Sequence, residues 1–468
     1  MPLPHVQPRP QFAVFFAAVL AAASMWFYVD QILVAYQRAD AATHQRPRGN
    51  LSDLYPRWLG ARELLLHQRN PYADDITIEI QKGYYGRALD PNLPGDPKDQ
   101  EGFAYPVYVV FLLSPLVALP FPLLQTAFCW FLAVFTAASV WLWLRALRWR
   151  LPPMNVATGI LFTLGSFSAV QGVKLQQLSL LVAGLLAASV AAAVSGALFL
   201  AGALLALATI KPQLVWPSVA WLLVWAVSDW RARRKLVFGF ALVMAVLFSG
   251  AEVILPGWWR MFAGAVAKYR QYTQNQSVIE VMLNQVLGSV ASGTVGRIGA
   301  QLIAAIAVLA CGSMLWRLRA NQTDTEGFGC GTALVLALTV LVVPMYAPYN
   351  QLLLLPAILL LVRDRTFFTS RSRPLRVGYV AGIFALTWQW IASAILSAIY
   401  LLGAPGWALS RWQWPFFATF ALPVLVFVLI FLEVQAKQRA QTQVQRRDPL
   451  LSGRSDFDFS SSRPGDQK

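Results

Sequence analysis

The chain is poor in charge, and in acids above all. Only 13% of its 468 residues are charged, with 22 Asp and Glu against 38 Lys and Arg. Joined to 57% hydrophobic residues, that scarcity excludes both an ordinary soluble domain and an intrinsically disordered one. Cysteine is nearly absent. Cys129, Cys311 and Cys330 lie in or beside apolar runs without ligand spacing, so they read as small core residues and exclude a disulfide framework. His5, His44 and His67 are scattered and form no metal-binding cluster. The alternating ten-residue segments of a membrane β-barrel are missing. So are short internal repeats and the paired broken helices of an inverted-repeat transporter.

What the chain has is long apolar runs. Many reach the roughly 18 residues needed to cross a bilayer core of about 30 Å. A lipid-facing backbone must satisfy its own hydrogen bonds, so these runs are helices and the fold class is an all-α polytopic integral membrane protein. The predicted spans are 12–37, 122–144, 153–170, 177–195, 196–210, 213–228, 236–255, 295–316, 329–346, 350–363, 375–400 and 414–434. A further stretch, 104–119, is short and broken by Pro106 and Pro115. The first run has no small-residue cleavage site after it and reads as a retained helix, not a signal peptide.

The net charge of +16 does not imply nucleic acid, because the basic residues sit in short clusters between apolar runs. Those clusters are Arg145/Arg148/Arg150, Arg231/Arg233/Arg234/Lys235, Arg317/Arg319, Arg363 to Arg376, and the tail from Lys437. Positive-inside orientation wants all of them cytoplasmic. About twelve transmembrane helices satisfy this if 104–119 is re-entrant or interfacial and does not cross. The organisation is then a cytoplasmic N-terminus (1–11), a membrane domain (12–436) and a polar, disordered cytoplasmic tail (437–468). Both termini are inside. The long segment 38–103 and the polar junctions 171–177, 210–213, 256–294, 345–351 and 403–414 are outside.

The first outer segment contains "RGNLSDLYPRWLGARELLLHQRNPYADD", residues 48–75. Leu54, Trp58, Ala61, Leu65 and Leu66 recur at helical spacing against Arg57, Arg62, Glu63 and His67. That pattern predicts an amphipathic helix on the membrane interface. Asn70-Pro71-Tyr72 ends it. Ser52 or Asp53 is placed to cap the helix. Asp53 is equally placed as a carboxylate above the headgroups, able to take a proton from an incoming hydroxyl. Local sequence leaves both readings open.

Other polar residues collect at the outer junctions. Lys174, Gln176 and Gln177 lie between two apolar runs, and Lys211 directly follows another. A lysine at a span end is able to snorkel to the headgroups. An ionisable group at membrane depth is also a functional candidate, with a lipid phosphate as the natural partner. Tyr346, Tyr349, Asn350 and Gln351 surround Pro348 at another junction. Glu101 and Tyr105 border the short stretch 104–119. Lys268 and Arg270 are weaker phosphate candidates. Asp30 and Glu252 stay unassigned, and the tryptophans at 258, 259, 407, 412 and 414 read as interfacial anchors.

Taken in order, "SDLYPRWLGARELLLHQRNPYADD", "FAYPVYVVFLLSPLVAL" and "LQQLSLLVAGLLAASVAAAVSGALFLAGALLALATIKPQLVWP" resemble glycosyltransferase family 87 over roughly residues 10–360. The shared pattern is an acid after the first helix, an "AGRALL.G.NPY"-like helix, a "YPP"-like short helix, a "GQ.SLL" junction and a "KP" junction. Three departures stand out. The glycine of "GQ" is absent at Gln176-Gln177, "YPP" reads Tyr105-Pro106-Val107, and "AGRA" reads Leu59-Gly60-Ala61-Arg62. The resemblance implies a GT-C fold in a bacterial inner membrane, with the site on the outer face. It implies a polyprenyl-phosphate sugar donor, with mannose as the family's sugar, and a glycolipid or glycan acceptor. It makes Asp53 the catalytic base. Arg57, Arg62, Lys174, Gln176, Gln177, Lys211, Tyr349 and Asn350 become the substrate-binding candidates. No cofactor or metal is implied, because basic residues suffice for a donor with one phosphate. A lipid or sugar flippase and a non-catalytic envelope-assembly protein are the rival classes.

Overall fold

The computed structural model describes residues 10–447 apart from 91, 94, 274–275, 288–292 and 345. It is all helical, with no strand among the described residues. The first membrane helix runs through α1 (Pro10–Phe27), a π-helical turn (Tyr28–Leu33) and α2 (Val34–Thr43). Next come α3 (Tyr55–His67), α4 (Asp74–Tyr85) and the short α5 (Val109–Leu113), which passes into a 3-10 turn (Ser114–Leu116). The bundle proper is α6 (Phe121–Ala146), α7 (Pro153–Leu164), α8 (Phe167–Lys174), α9 (Leu178–Val194), α10 (Leu198–Ala208), α11 (Pro212–Ser228) and α12 (Trp230–Ile254). α13 (Trp258–Tyr272) lies beside α4, and α14 (Val278–Leu287) packs on the two helices that follow it. The chain closes with α15 (Gly293–Leu318), α16 (Glu326–Val342), α17 (Leu355–Arg363), α18 (Arg365–Ser370), α19 (Arg373–Leu401), α20 (Pro405–Ser410) and α21 (Ala421–Arg447).

Each predicted span coincides with a helix, but not every helix has a membrane's length. Six segments are long and apolar enough to cross, and α7 with α8, bent by 60°, makes a seventh. The other five are shorter, and α10 is only eleven residues. At about 1.5 Å per residue it falls well short of a ~30 Å core, so a count of twelve full crossings does not follow from helix length. The run 104–119 folds as two elements of five and three residues, too short to cross.

The bend between α7 and α8 frees backbone groups that a continuous helix would satisfy. Trp26 Nε1 donates to Leu164 O at 3.2 Å and Trp390 Nε1 to Gly165 O at 2.7 Å. Gln389 Oε1 accepts from Phe167 N at 2.8 Å. A broken helix at this depth survives because neighbouring side chains pair with its ends. Its consequence is that α8 stops at Lys174 and the chain turns into α9.

α9 is buried on nearly every face, and its Ala, Gly and Ser residues let α6 and α10 approach closely. α10 and α12 meet through reciprocal glycines. A Cβ on Gly202 would strike the Leu236 carbonyl oxygen, and one on Gly239 the Phe199 carbonyl oxygen. Large side chains such as Trp130 (71% exposed) and Leu309 (73%) face outward from α6 and α15, where a bilayer would cover them.

The basic clusters gather at one end of the bundle. Arg233 reaches the Asn321 carbonyl at 3.1 Å, Arg363 the Leu147 carbonyl at 3.2 Å, and Lys437 Nζ lies 2.7 Å from Asp364 Oδ2. Seventeen residues of α11, about 25 Å of helix at ~1.5 Å each, separate that end from Lys211. The tail expected to be unfolded from 437 is instead helical through Arg447, because Lys437 is drawn into this ion cluster with Glu433 (2.8 Å) and Asp364. The tail beyond residue 447 and residues 1–9 lie outside the described residues.

The glycine contact yields a prediction. Gly202→Val should lower stability by about 1–3 kcal/mol through overpacking. Gly312→Ala in α15, with open space at the Cβ, should be neutral or slightly stabilising. Thermal unfolding in detergent reads both, and equal melting temperatures would remove the close approach as a constraint.

Candidate active site

Asp53 does not cap α3. The capping position is Leu54, without a side-chain hydrogen bond, and the Leu54 amide donates instead to Ser52 Oγ at 3.3 Å. The Asp53 carboxylate turns away from the helix it precedes. Its own backbone amide donates to Leu175 O at 2.9 Å, which joins the first polar segment to the α8–α9 junction. One carboxylate oxygen accepts from Gln177 Nε2, and the other from Tyr84 OH at 3.4 Å.

Gln177 is the residue on which the arrangement turns. It occupies the N-cap of α9. While its amide nitrogen donates to Asp53, its oxygen accepts from Lys211 Nζ at 3.1 Å. Lys211 sits at the N-cap of α11 and is only 6% exposed. It also donates to Ser179 Oγ at 2.6 Å and lies 5.1 Å from the centre of the Tyr349 ring. Two helix N-termini therefore converge where Asp53 and Lys211 stand, and their dipoles favour negative charge there.

Arg57 completes the positive side. α3 buries it, and Nη1 donates to Asp53 O at 2.8 Å. Its guanidinium lies 4.4 Å over the Tyr105 ring, and its Nε has no partner. Burial works against the Arg57 charge, but Tyr105, Glu101 and Asp53 around it hold its pKa above the ordinary value. Burial likewise pushes the Asp53 carboxyl up. Arg57, Lys211, Gln177 and Tyr84 pull it back without cancelling the effect. The Glu101 carboxyl is also pushed up, by burial and by the charges of Asp99 and Asp53. Asp53 keeps partial solvent access.

Of the substrate-binding candidates, the structure brings Arg57, Gln177, Lys211 and Tyr349 to Asp53. Four others go elsewhere. Arg62 covers the Trp58 ring at 5.4 Å. Lys174 pairs with Asp30 at 2.6 Å and lies over Trp26. Asn350 is buried with its Oδ1 unpartnered and has no bond to the cluster. Gln176 is a structural residue. Its φ of +52° is the left-handed region, at the position where the "GQ" pattern has glycine. The amide holds that turn by donating to Val173 O (3.0 Å) and Lys174 O (2.5 Å), and its oxygen accepts from Gln125 at 3.1 Å.

The expected interfacial helix is also different. α3 buries the polar residues Arg57 and Glu63 together with Trp58, Ala61 and Leu64, because α4 and α5 pack over it, while Leu66 stays exposed. Tyr84, Ser179 and Asp99 were not singled out by the sequence. Tyr84 reaches Asp53 because the chain at 49–51 pairs with the end of α4, through Gly49 N to Tyr84 O (3.1 Å) and Asn50 N to Gly83 O (3.2 Å). A Cβ at 49 would strike the backbone of Gly83 and Tyr84 in that contact, and one at 83 would strike the Tyr55 ring. Beside the cluster, α4, residues 100–104 and α13 enclose a cavity of about 320 Å³, lined by Asn70, Thr77, Gln100, Lys268 and Tyr272 among others. Its rim carries the Lys268–Asp74 ion pair at 3.0 Å. Among the described residues no three His, Cys, Asp or Glu side chains gather as a metal-ligand set.

The model of glycosyltransferase family 87 matches residues 103–344, just over half of the chain. The matched range holds Tyr105, Gln177, Ser179 and Lys211, and Asp53 and Arg57 precede it. No curated protein and no solved structure matches.

The Gln176 turn gives a second prediction. Gln176→Ala keeps the left-handed strain and loses the back-bonding, and should cost about 1–2 kcal/mol. Gln176→Gly relaxes the backbone and should cost less. The order of the two melting temperatures tests the left-handed strain, which the reverse order would deny, and an Ala variant as stable as wild type would deny the amide its role.

Proposed function

Because the chain belongs to glycosyltransferase family 87, and so is a membrane glycosyltransferase, we propose that it moves a hexose such as mannose from a polyprenyl phosphate to a glycolipid or glycan acceptor. Asp53 is the general base. The reading includes a multi-pass GT-C architecture in a bacterial inner membrane, with the basic end of the bundle in the cytoplasm and the Asp53 end outside.

The observation that carries it is the single amide of Gln177 held between Asp53 and Lys211. A direct ion pair would spend the carboxylate on the lysine. The neutral amide keeps the two charges close and separately available. Asp53 takes the proton of the acceptor hydroxyl as that oxygen attacks the anomeric carbon. The bond to the lipid phosphate breaks on the opposite face, so the configuration inverts. Lys211, Arg57 and the N-termini of α9 and α11 stabilise the departing phosphate. Arg57, with an unpartnered Nε, has a donor to spare for it. The acceptor's polar head fits the 320 Å³ cavity between α4 and α13, whose amides, hydroxyls and aromatic rings suit a carbohydrate. The donor is membrane-bound and its acceptor polar, so a site at the helix ends serves both.

The test uses wild type and Asp53→Asn in nanodiscs, with polyprenyl-phosphate mannose, glucose and arabinose in parallel and source-membrane lipids as acceptor. Asp53→Asn should lower transfer by about 10²–10⁴-fold, the loss typical of a missing general base. Undiminished transfer in a folded variant would move the base to Glu101. No transfer by wild type with any donor would remove the reading.

Two finer outcomes follow. A base must be ionised, so falling pH should switch transfer off as Asp53 protonates. Because its carboxyl is raised, that limb should lie above the ordinary Asp value of about 3.9 in kcat/KM against pH. A limb at or below that value would contradict the assignment. Lys211→Ala should cost about 10²–10³-fold in kcat, the scale of one lost charge-stabilising donor. Lys174→Ala, whose ammonium is already paired with Asp30, should change kcat less than threefold, about 0.6 kcal/mol. Equal losses would restore Lys174 to the site.

A further inference from the structure

A groove of about 730 Å³ opens between the start of α19 and residues 425–440 of α21, with Phe367 of α18 at one end. Its floor is apolar. Leu425, Val428 and Leu432 line it, and Val428 and Leu432 stay 43% and 39% exposed. Its head is basic. Arg371 and Arg439 both line it, and the Arg371 guanidinium stacks 4.3 Å over the Phe367 ring. No carboxylate pairs with either arginine among the described residues. The acids nearby are already engaged. Asp364 is held by Arg363 at 2.9 Å and Lys437 at 2.7 Å, and Glu433 by Lys437 at 2.8 Å.

The two helices that form the groove are both long and apolar enough to cross a bilayer. The floor therefore lies at acyl-chain depth and the arginines at the level of the headgroups. An apolar trough headed by two uncompensated guanidinium groups selects a ligand with a hydrocarbon chain and a phosphate. A basic pocket between membrane helices at the cytoplasmic end is a site of that chemistry. The groove belongs to the basic end of the bundle, which the length of α11 separates from Lys211. It is therefore distinct from the Asp53 cluster.

We infer that this groove is a specific site for an anionic glycerophospholipid of the inner leaflet, its phosphate between Arg371 and Arg439 and an acyl chain along Leu425, Val428 and Leu432. The site does not depend on the transfer reaction, and its success or failure says nothing about Asp53.

Native mass spectrometry of the full chain in detergent tests it, with phosphatidylglycerol and phosphatidylcholine of identical acyl chains. One phosphatidylglycerol should survive detergent exchange per chain, retained about tenfold better than phosphatidylcholine. Arg371→Gln/Arg439→Gln should erase that preference. Val428→Trp should lower retention of both lipids by filling the trough. Equal retention of the two lipids by wild type would overturn the site, as would an unchanged preference in a double variant of unchanged melting temperature. Should the double variant not fold, wild type decides the matter alone. A phosphatidylglycerol with a photoreactive acyl chain should label residues 425–432, and labelling confined to other helices refutes the assignment. Glycerol phosphate at millimolar concentration should displace nothing, because the chain supplies much of the binding. Displacement by it would reassign the site to a free phosphate.

Discussion

One side-chain amide holds the candidate site together. Gln177 presents its nitrogen to Asp53 and its oxygen to Lys211, and only one orientation of the amide satisfies both. A Glu at 177 would repel Asp53, and an aliphatic residue would leave a buried ammonium and a buried carboxylate with fewer partners. The backbone bond from Asp53 to Leu175 then fixes the distance over which the amide must reach. Everything around the pair serves this geometry. The left-handed turn at Gln176 follows the end of α8 beside Asp53. The small residues of α9 let α10 fold back, and Pro212 starts α11 so that Lys211 faces inward.

The sequence disclosed the all-helical membrane class and several residues that meet in the candidate site for different reasons. Apolar runs reveal helices in lipid directly, since the backbone has no alternative there. They reveal length less well. The run 196–210 looked like a span, yet Gly196 and Lys211-Pro212 bracket a helix of eleven residues. Gln177 and Lys211 were legible because each stands at the edge of an apolar run, where a polar group is conspicuous, and Asp53 because the family resemblance has an acid after the first helix.

Side-chain direction was not legible. Lys174, Gln176 and Gln177 are neighbours in sequence, yet one pairs with Asp30, one closes its own turn and one holds Asp53. What separates them is the left-handed backbone at Gln176, a tertiary choice that composition does not announce. Tyr84 was hidden for a similar reason. It depends on two glycines 34 residues apart in the chain meeting at their backbones. Arg62 and Arg57 have the same chemistry on the same helix, and only the packing of α4 and α5 decides which is buried.

The order in which the site's parts lie along the chain has a consequence for biogenesis. Asp53 leaves the ribosome 124 residues before Gln177, and Lys211 comes 34 residues after that. Until α9 and α11 have been inserted, the carboxylate has Arg57 and Tyr84 of its own segment but neither Gln177 nor Lys211. The bonds that tie Asp53 to the bundle therefore cannot all close until more than a third of the protein has followed it. The acid that would accept a proton from substrate is thus also a latch on assembly. The segment before α6 locks onto the bundle only once Gln177 and Lys211 have both arrived.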